Sequence, residues 1–197
     1  MPASLIPSLI VYCFVTVITP GPANLCTFAA AITYGKKKAL SQWRGLFAGF
    51  WIIALAASVV VWFFGTLLSE YVKVMTWIGA AYIMWLAYHM LRSNGVGEAH
   101  ADAHCNFFTG LFINLTNPKV IIYCITVLTT FVLPYADSYT DVLKVAVLLP
   151  FTGPVANFVW LFAGSTLQKF FRNYQKQANV VMALSLALCA VSIVVAL

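Results

Sequence analysis

Residues 107–133 read FFTGLFINLTNPKVIIYCITVLTTFVL, 27 positions carrying one basic side chain, Lys119, and no acidic one. About 20 predominantly apolar residues suffice to cross a bilayer as a helix, so this run predicts a spanning helix. At its centre lies Asn114-Leu115-Thr116-Asn117-Pro118-Lys119. Proline removes a backbone donor and clashes with the preceding turn, and carbonyls freed in lipid must find partners inside the protein. The run therefore predicts a broken helix whose break faces the interior of a bundle. Lys119 is the only ionisable residue placed well inside a span. A charge there costs a few kcal/mol and marks a functional site by default. Its depth argues against a lysine that merely snorkels to a headgroup.

The rest of the chain shares this solvent. Of 197 residues, 62% are hydrophobic and 8% charged, against roughly 25% charged in a soluble domain. Sixteen charges, 11 basic and 5 acidic, cannot cover a water-facing globule of this size. Apolar runs fall at about 5–31, 43–67, 71–91, 107–133, 142–167 and 178–196. The expected fold class is an all-α integral membrane protein of six transmembrane helices, forming a single transmembrane domain over 1–197. Its halves, about 1–92 and 106–197, are joined by a polar linker, 93–105. The N-terminus, Met1-Pro-Ala-Ser-Leu-Ile6, has no basic n-region, so the first run reads as a retained anchor rather than a cleaved signal.

Charge placement orients this bundle. The gaps after the first, third and fifth runs contain Lys36, Lys37, Lys38, Arg44, Arg92, Lys169, Arg172 and Lys176, whereas the other face has Lys73 and Lys144. Eight against two places the odd-numbered loops, and so the 93–105 linker, in the cytoplasm and both termini in the periplasm. Basic residues flanking spans also exclude the nucleic-acid partner that the net charge of +6 could suggest. Tyr34, Trp43, Tyr71, Tyr88, Tyr135, Tyr139 and Tyr174 fall at the expected interfaces as anchors. With three crossings per half, the second half enters from the opposite side, so any internal repeat is inverted. Thr19-Pro20 and Asn117-Pro118, offset by 98 residues, are its trace, and paired breaks of this kind point to a transporter's binding site.

The first of these breaks is Thr19-Pro20-Gly21-Pro22, followed by Asn24. Two prolines around a glycine force a kink or unwinding. The freed carbonyls and the N-terminus of the following half-helix offer oxygen to an ammonium and a positive dipole to a carboxylate. A purely structural kink is the alternative. A third polar break, Pro150-Phe-Thr152-Gly153-Pro154, brings Asn157 with it, either to line the site or to join helices. Gly45 and Gly49 form a close-packing GxxxG. The five acidic residues, Glu70, Glu98, Asp102, Asp137 and Asp141, all lie outside the runs or at their edges, which leaves a membrane hydrolase without an acid/base pair. His100, Asp102, His104 and Cys105 in the linker resemble a metal cluster only superficially, and His89 reads as interfacial. No metal, cofactor or disulfide framework is expected from five cysteines without a CxxC.

Thr19-Pro-Gly-Pro22 followed by Asn117-Pro-Lys119, with Gly35, Gly45, Gly49 and Gly79-Ala-Ala-Tyr82, resembles the lysine-exporter (LysE/RhtB) family of bacterial amino-acid efflux proteins over the whole chain. Residues 77–87, 119–123, 130–134 and 170–174 are similar to its cysteine/O-acetylserine-exporting subgroup. Most members carry Asn directly after the second proline, where this chain has Ala23 and then Asn24. The resemblance implies secondary transport outward across the bacterial inner membrane.

The expected site combines Thr19, Pro20, Gly21, Pro22 and Asn24 from the first break, Asn114, Asn117, Pro118 and Lys119 from the fourth span, and Asn157 from the fifth. Lys119 is expected to hold the carboxylate of a small amino-acid substrate. Carbonyls freed at Pro20 and Pro22, with Asn24 or Asn117, are expected to meet its ammonium. Without an intramembrane carboxylate, a neutral substrate is favoured over lysine or arginine. The partners are this substrate and the lipid bilayer, with no nucleic acid; a homo-oligomer is compatible with the sequence and not specified by it. A passive channel, or a non-transporting subunit that offers its Gly45/Gly49 face to a partner, are the competing readings.

Overall fold

A computed structural model describes residues 3–18, 21–92, 105–166 and 173–195, and these contain helices and no strands. We number the helices α1 (Ile6–Ile18), α2 (Pro22–Tyr34), α3 (Lys36–Arg92), α4 (Phe107–Leu115), α5 (Pro118–Thr126), α6 (Tyr139–Leu148), α7 (Gly153–Thr166) and α8 (Gln175–Val195). A π-helical stretch, Val127–Val132, continues α5. Among the described residues three stretches are long and apolar enough to cross a bilayer: Lys36–Gly65, Pro118–Tyr135 and Tyr139–Thr166. The described residues of the first apolar run form two helices of 13 residues each, Ile6–Ile18 and Pro22–Tyr34, each too short to cross alone.

A straight helix of 57 residues would extend about 86 Å at 1.5 Å per residue, far more than a bilayer. The helical run Lys36–Arg92 does not do this. A Cβ on Gly45 would meet Phe107 and Leu111, one on Gly65 would meet Leu133, and one on Gly79 would meet Pro118 and Ile122. Between Gly65 and Gly79 the chain has therefore turned back along the same neighbour, and α3 has a first limb on α4 and α5 and a second limb returning beside them.

Two apolar cores flank the breaks. One joins α2 (Leu25, Phe28, Ile32) to the second limb of α3 (Ala80, Ile83, Ala87) and to α8 (Leu186, Cys189, Ala190). The other joins the first limb of α3 (Phe50, Ala54, Val61) to α5, its π-helical continuation and α6, with Tyr12 and Val17 of α1 packed against it. Small residues permit the closest approaches. Gly45 lies under the Phe107 carbonyl and Gly110 under the Gln42 carbonyl, so the backbones of α3 and α4 touch. The Gly45/Gly49 face is thus covered by α4 of the same chain and is not offered to a partner.

All five cysteines are free thiols. Cys105, just before α4, is half-buried and directs its Sγ to Gln42 Oε1 at 3.8 Å. Burial pushes this thiol up to about 11. Because the thiolate is the nucleophile, maleimide labelling of Cys105 is expected to be slow at pH 7 and to accelerate about tenfold per pH unit towards pH 10. Peptide-resolved mass spectrometry measures it, and a rate that levels off by pH 8 would contradict the burial.

Candidate functional site

Both broken helices restart in the same way. Gly21, extended at φ −136° and ψ 179°, precedes α2 with Pro22 in the first turn; Asn117, at φ −80° and ψ 106°, precedes α5 with Pro118 in the first turn. Proline suits that position because its missing N–H is one that a helix start leaves unpaired. The two starts differ in their caps. Asn117 Oδ1 accepts from the Lys119 backbone N–H at 3.1 Å, whereas Gly21 has no side chain to cap α2. The positive end of α2 therefore opens towards whatever lies in front of Gly21.

Lys119 lies there. A Cβ built on Gly21 would be 2.8 Å from Lys119 Cδ and 3.2 Å from Nζ. The absent side chain at residue 21 is thus what lets a lysine from the other break cross the bundle. The same ammonium is within hydrogen-bonding reach of the fully buried Cys189 thiol on α8. No acidic residue occurs in any of these elements.

A cavity of about 370 Å³, its open mouth included, occupies this crossing. Gly21, Asn24, Asn117, Lys119 and Asn157 all line it. Asn24 Nδ2 donates to the Val17 carbonyl at 3.2 Å, tying the end of α1 to the start of α2 across the break. Asn157, 6% exposed, donates through Nδ2 to the Gly153 carbonyl at 3.2 Å.

Other expected site residues fall elsewhere. Thr19 and Pro20 lie outside the described residues. Pro22 is buried but is not in the cavity wall, and Pro118 packs under Gly79. Asn114, 1% exposed, also lies away from the cavity; its Nδ2 donates to the Leu46 carbonyl at 2.7 Å and so joins α4 to α3. An interhelical bond of this type contributes about 0.6–1.7 kcal/mol in a membrane protein. Asn114→Leu is accordingly expected to lower the melting temperature by about 2–6 °C with substrate affinity unchanged, as measured by thermal shift and binding in detergent. A selective loss of affinity would instead place Asn114 in the site.

Thr16, Phe50, Tyr123 and Gly153, not expected at the site from sequence, also line the wall, with Val17, Ala23 and Val120. Tyr123 was within reach, since it follows Lys119 by one helical turn and shares its face. Its hydroxyl lies 2.9 Å from Thr152 Oγ1, which holds the third break against α5. Gly153 admits the Phe50 ring, a contact 103 positions apart that no local signal announces. Trp43 Nε1 donates to the Pro154 carbonyl at 2.9 Å and fixes the same break from α3. His100, Asp102 and His104 lie outside the described residues. Chemically, the cavity offers a cation, an uncapped helix start and amide groups.

The model of the LysE type translocator family matches residues 14–197. The cysteine/O-acetylserine efflux protein of Klebsiella pneumoniae subsp. pneumoniae is 34% identical over 195 residues, 99% of this chain and 100% of the relative. Proteins of the same description from Salmonella typhimurium and Escherichia coli O6:K15:H31 are each 33% identical. The first alignment covers 92% of this chain and 93% of the relative, the second 98% and 99%. No solved structure matches the chain significantly.

Proposed function

Because the chain belongs to the LysE-type translocator family, we propose that it is a secondary transporter that exports small neutral amino acids, of the class of cysteine and O-acetylserine, across the bacterial inner membrane by alternating access. The observation that carries this reading is the crossing of Lys119 over Gly21 in a cavity between two helix breaks. There the substrate carboxylate sits between the Lys119 ammonium and the uncapped start of α2, where charge and dipole act together. Absence of an acidic side chain from the wall disfavours a second positive charge on the substrate, and so selects neutral side chains over lysine or arginine.

In this reading the six spans are α1 with α2, the two limbs of α3, α4 with α5 and its π-helical continuation, α6 with α7, and α8. Each half contributes three, so the halves are inverted repeats that rock about the shared site. The linker and the eight clustered basic residues face the cytoplasm, and both termini the periplasm.

The test is uptake of labelled cysteine, O-acetylserine, threonine and lysine into inverted membrane vesicles and into proteoliposomes of the purified protein. Accumulation of the first two against their gradients, abolished by a protonophore, is the expected result. Equilibration without accumulation would identify a channel, and inactivity of the purified protein alone a dependent subunit.

A further inference from the structure

The sequence offers the substrate's ammonium several partners, the carbonyls of the first break with Asn24 or Asn117, and the hydrogen bonds around the cavity narrow the choice. Asn117 Oδ1 is occupied by the Lys119 backbone N–H. Asn24 Nδ2 is tied across the first break to the Val17 carbonyl, and its Oδ1 is not among the buried acceptors left without a partner. Tyr123 is engaged with Thr152, whose hydroxyl in turn donates to the Leu149 carbonyl at 2.7 Å.

Asn157 differs. Its Nδ2 faces the Gly153 carbonyl, which can only accept, so the amide orientation is fixed and Oδ1 is directed elsewhere. That Oδ1 is fully buried and has no hydrogen-bond partner, although its residue lines the cavity with Lys119. A buried acceptor left unpaired is a cost that native structures rarely carry without a role. Asn114 Oδ1 is also unpaired, but it lies away from the cavity, so it is the combination of burial, vacancy and position that singles out Asn157. A donor brought in through the cavity that Asn157 lines would satisfy it.

We propose that Asn157 Oδ1 accepts the α-ammonium of the transported amino acid, so that Lys119 and Asn157 hold the two ends of one zwitterion. The proposal rests on the exporter reading and deepens it. Asn157 is the determinant that requires a free, protonated α-amine. O-acetylserine then enters, whereas its isomer N-acetylserine, which keeps the carboxylate and loses the ammonium, is rejected. Cysteine is likewise distinguished from 3-mercaptopropionate, which has the thiol and carboxylate alone.

The experiment is competition against labelled cysteine in proteoliposomes of the full-length protein. Unlabelled cysteine, 3-mercaptopropionate, O-acetylserine and N-acetylserine are the competitors, with wild type, Asn157→Leu and Asn157→Asp compared. Wild type is expected to prefer the free-amine member of each pair by at least ~30-fold. Asn157→Leu, of the same branching and without the acceptor, should lose about 10- to 100-fold in affinity for cysteine and leave 3-mercaptopropionate unchanged, collapsing the preference. Asn157→Asp, which keeps the acceptor and adds charge, should restore or raise it. An unchanged preference in Asn157→Leu, or an equal loss for both members of each pair, overturns the assignment. If the leucine variant does not accumulate, a preference that falls in Asn157→Asp overturns it equally. A wild-type protein that moves no amino acid overturns the exporter reading as well, so the two failures are distinguishable.

Discussion

Lys119→Met is expected to abolish transport while leaving the protein folded. Methionine keeps most of the apolar stem that lies against Gly21 and removes only the ammonium. Taking one partner from a buried, hydrogen-bonded charge pair costs about 2–5 kcal/mol, roughly a 30-fold to several-thousand-fold loss of substrate affinity. Stability should move the other way. Lys119 meets the Cys189 thiol, and no acidic side chain lines the cavity with it, so its charge is a burden relieved by substitution, and the melting temperature of Lys119→Met is expected to hold or rise. Arginine does not rescue, because the space before Gly21 already brings Lys119 Cδ within 2.8 Å of where a methyl group would stand. Counterflow of labelled cysteine and thermal shift on the same preparation test both statements. Transport at the wild-type rate in Lys119→Met would remove the carboxylate role.

The second large effect is structural. Gly110→Ala and Gly45→Ala each place a Cβ on the opposing backbone, against the Gln42 carbonyl in one case and the Phe107 carbonyl in the other. A flexible side chain could swing away from such an intrusion, but a helix backbone cannot. The helices must separate along their whole contact, which includes the Asn114 bond to Leu46. Overpacking of this sort costs about 1–3 kcal/mol or more, so a fall of roughly 4–12 °C in melting temperature is expected, and leucine at either position should prevent accumulation. Gly79→Ala is the control. Its Cβ would meet only side-chain atoms, of Ile122 and Pro118, at 3.0 Å, and it should melt closer to wild type. Equal melting of Gly110→Ala and wild type would mean that the two backbones are not in contact.

The breaks were legible because each is a local chemical event. Pro22 and Pro118 cannot sit in a helix interior, and the residue before each is extended as a helix start requires. Lys119 was legible for a similar reason, since a charge within an apolar run needs an explanation. Distances across the chain were not legible. Asn114 and Asn117 are three positions apart and chemically identical, yet one binds α3 and the other caps α5, because the break between them turns their side chains to different neighbours. The reversal inside α3 could be placed from Glu70 and Lys73 only, since residues 66–78 contain neither proline nor glycine to mark a break. The orphaned oxygen of Asn157 has no signature in sequence at all.

The π-helical stretch after α5 sets an angular phase. An α-helix advances about 100° per residue, so the eight steps from Tyr123 to Phe131 would leave the two rings about 80° apart around the axis. Across Val127–Val132 the wider turn advances only roughly 80° per residue, and that deficit brings Phe131 back into line with Tyr123. Tyr12 exploits the alignment: its ring is stacked on Tyr123 at 6.1 Å and lies 5.8 Å from Phe131, one turn of α1 away from Thr16 in the cavity wall. Deleting a single residue from this stretch would rotate Phe131 off Tyr12 and leave Lys119 where it is. Chains of this type that differ there by one residue in length should therefore differ in how the aromatic layer closes over the cavity rather than in what the cavity binds.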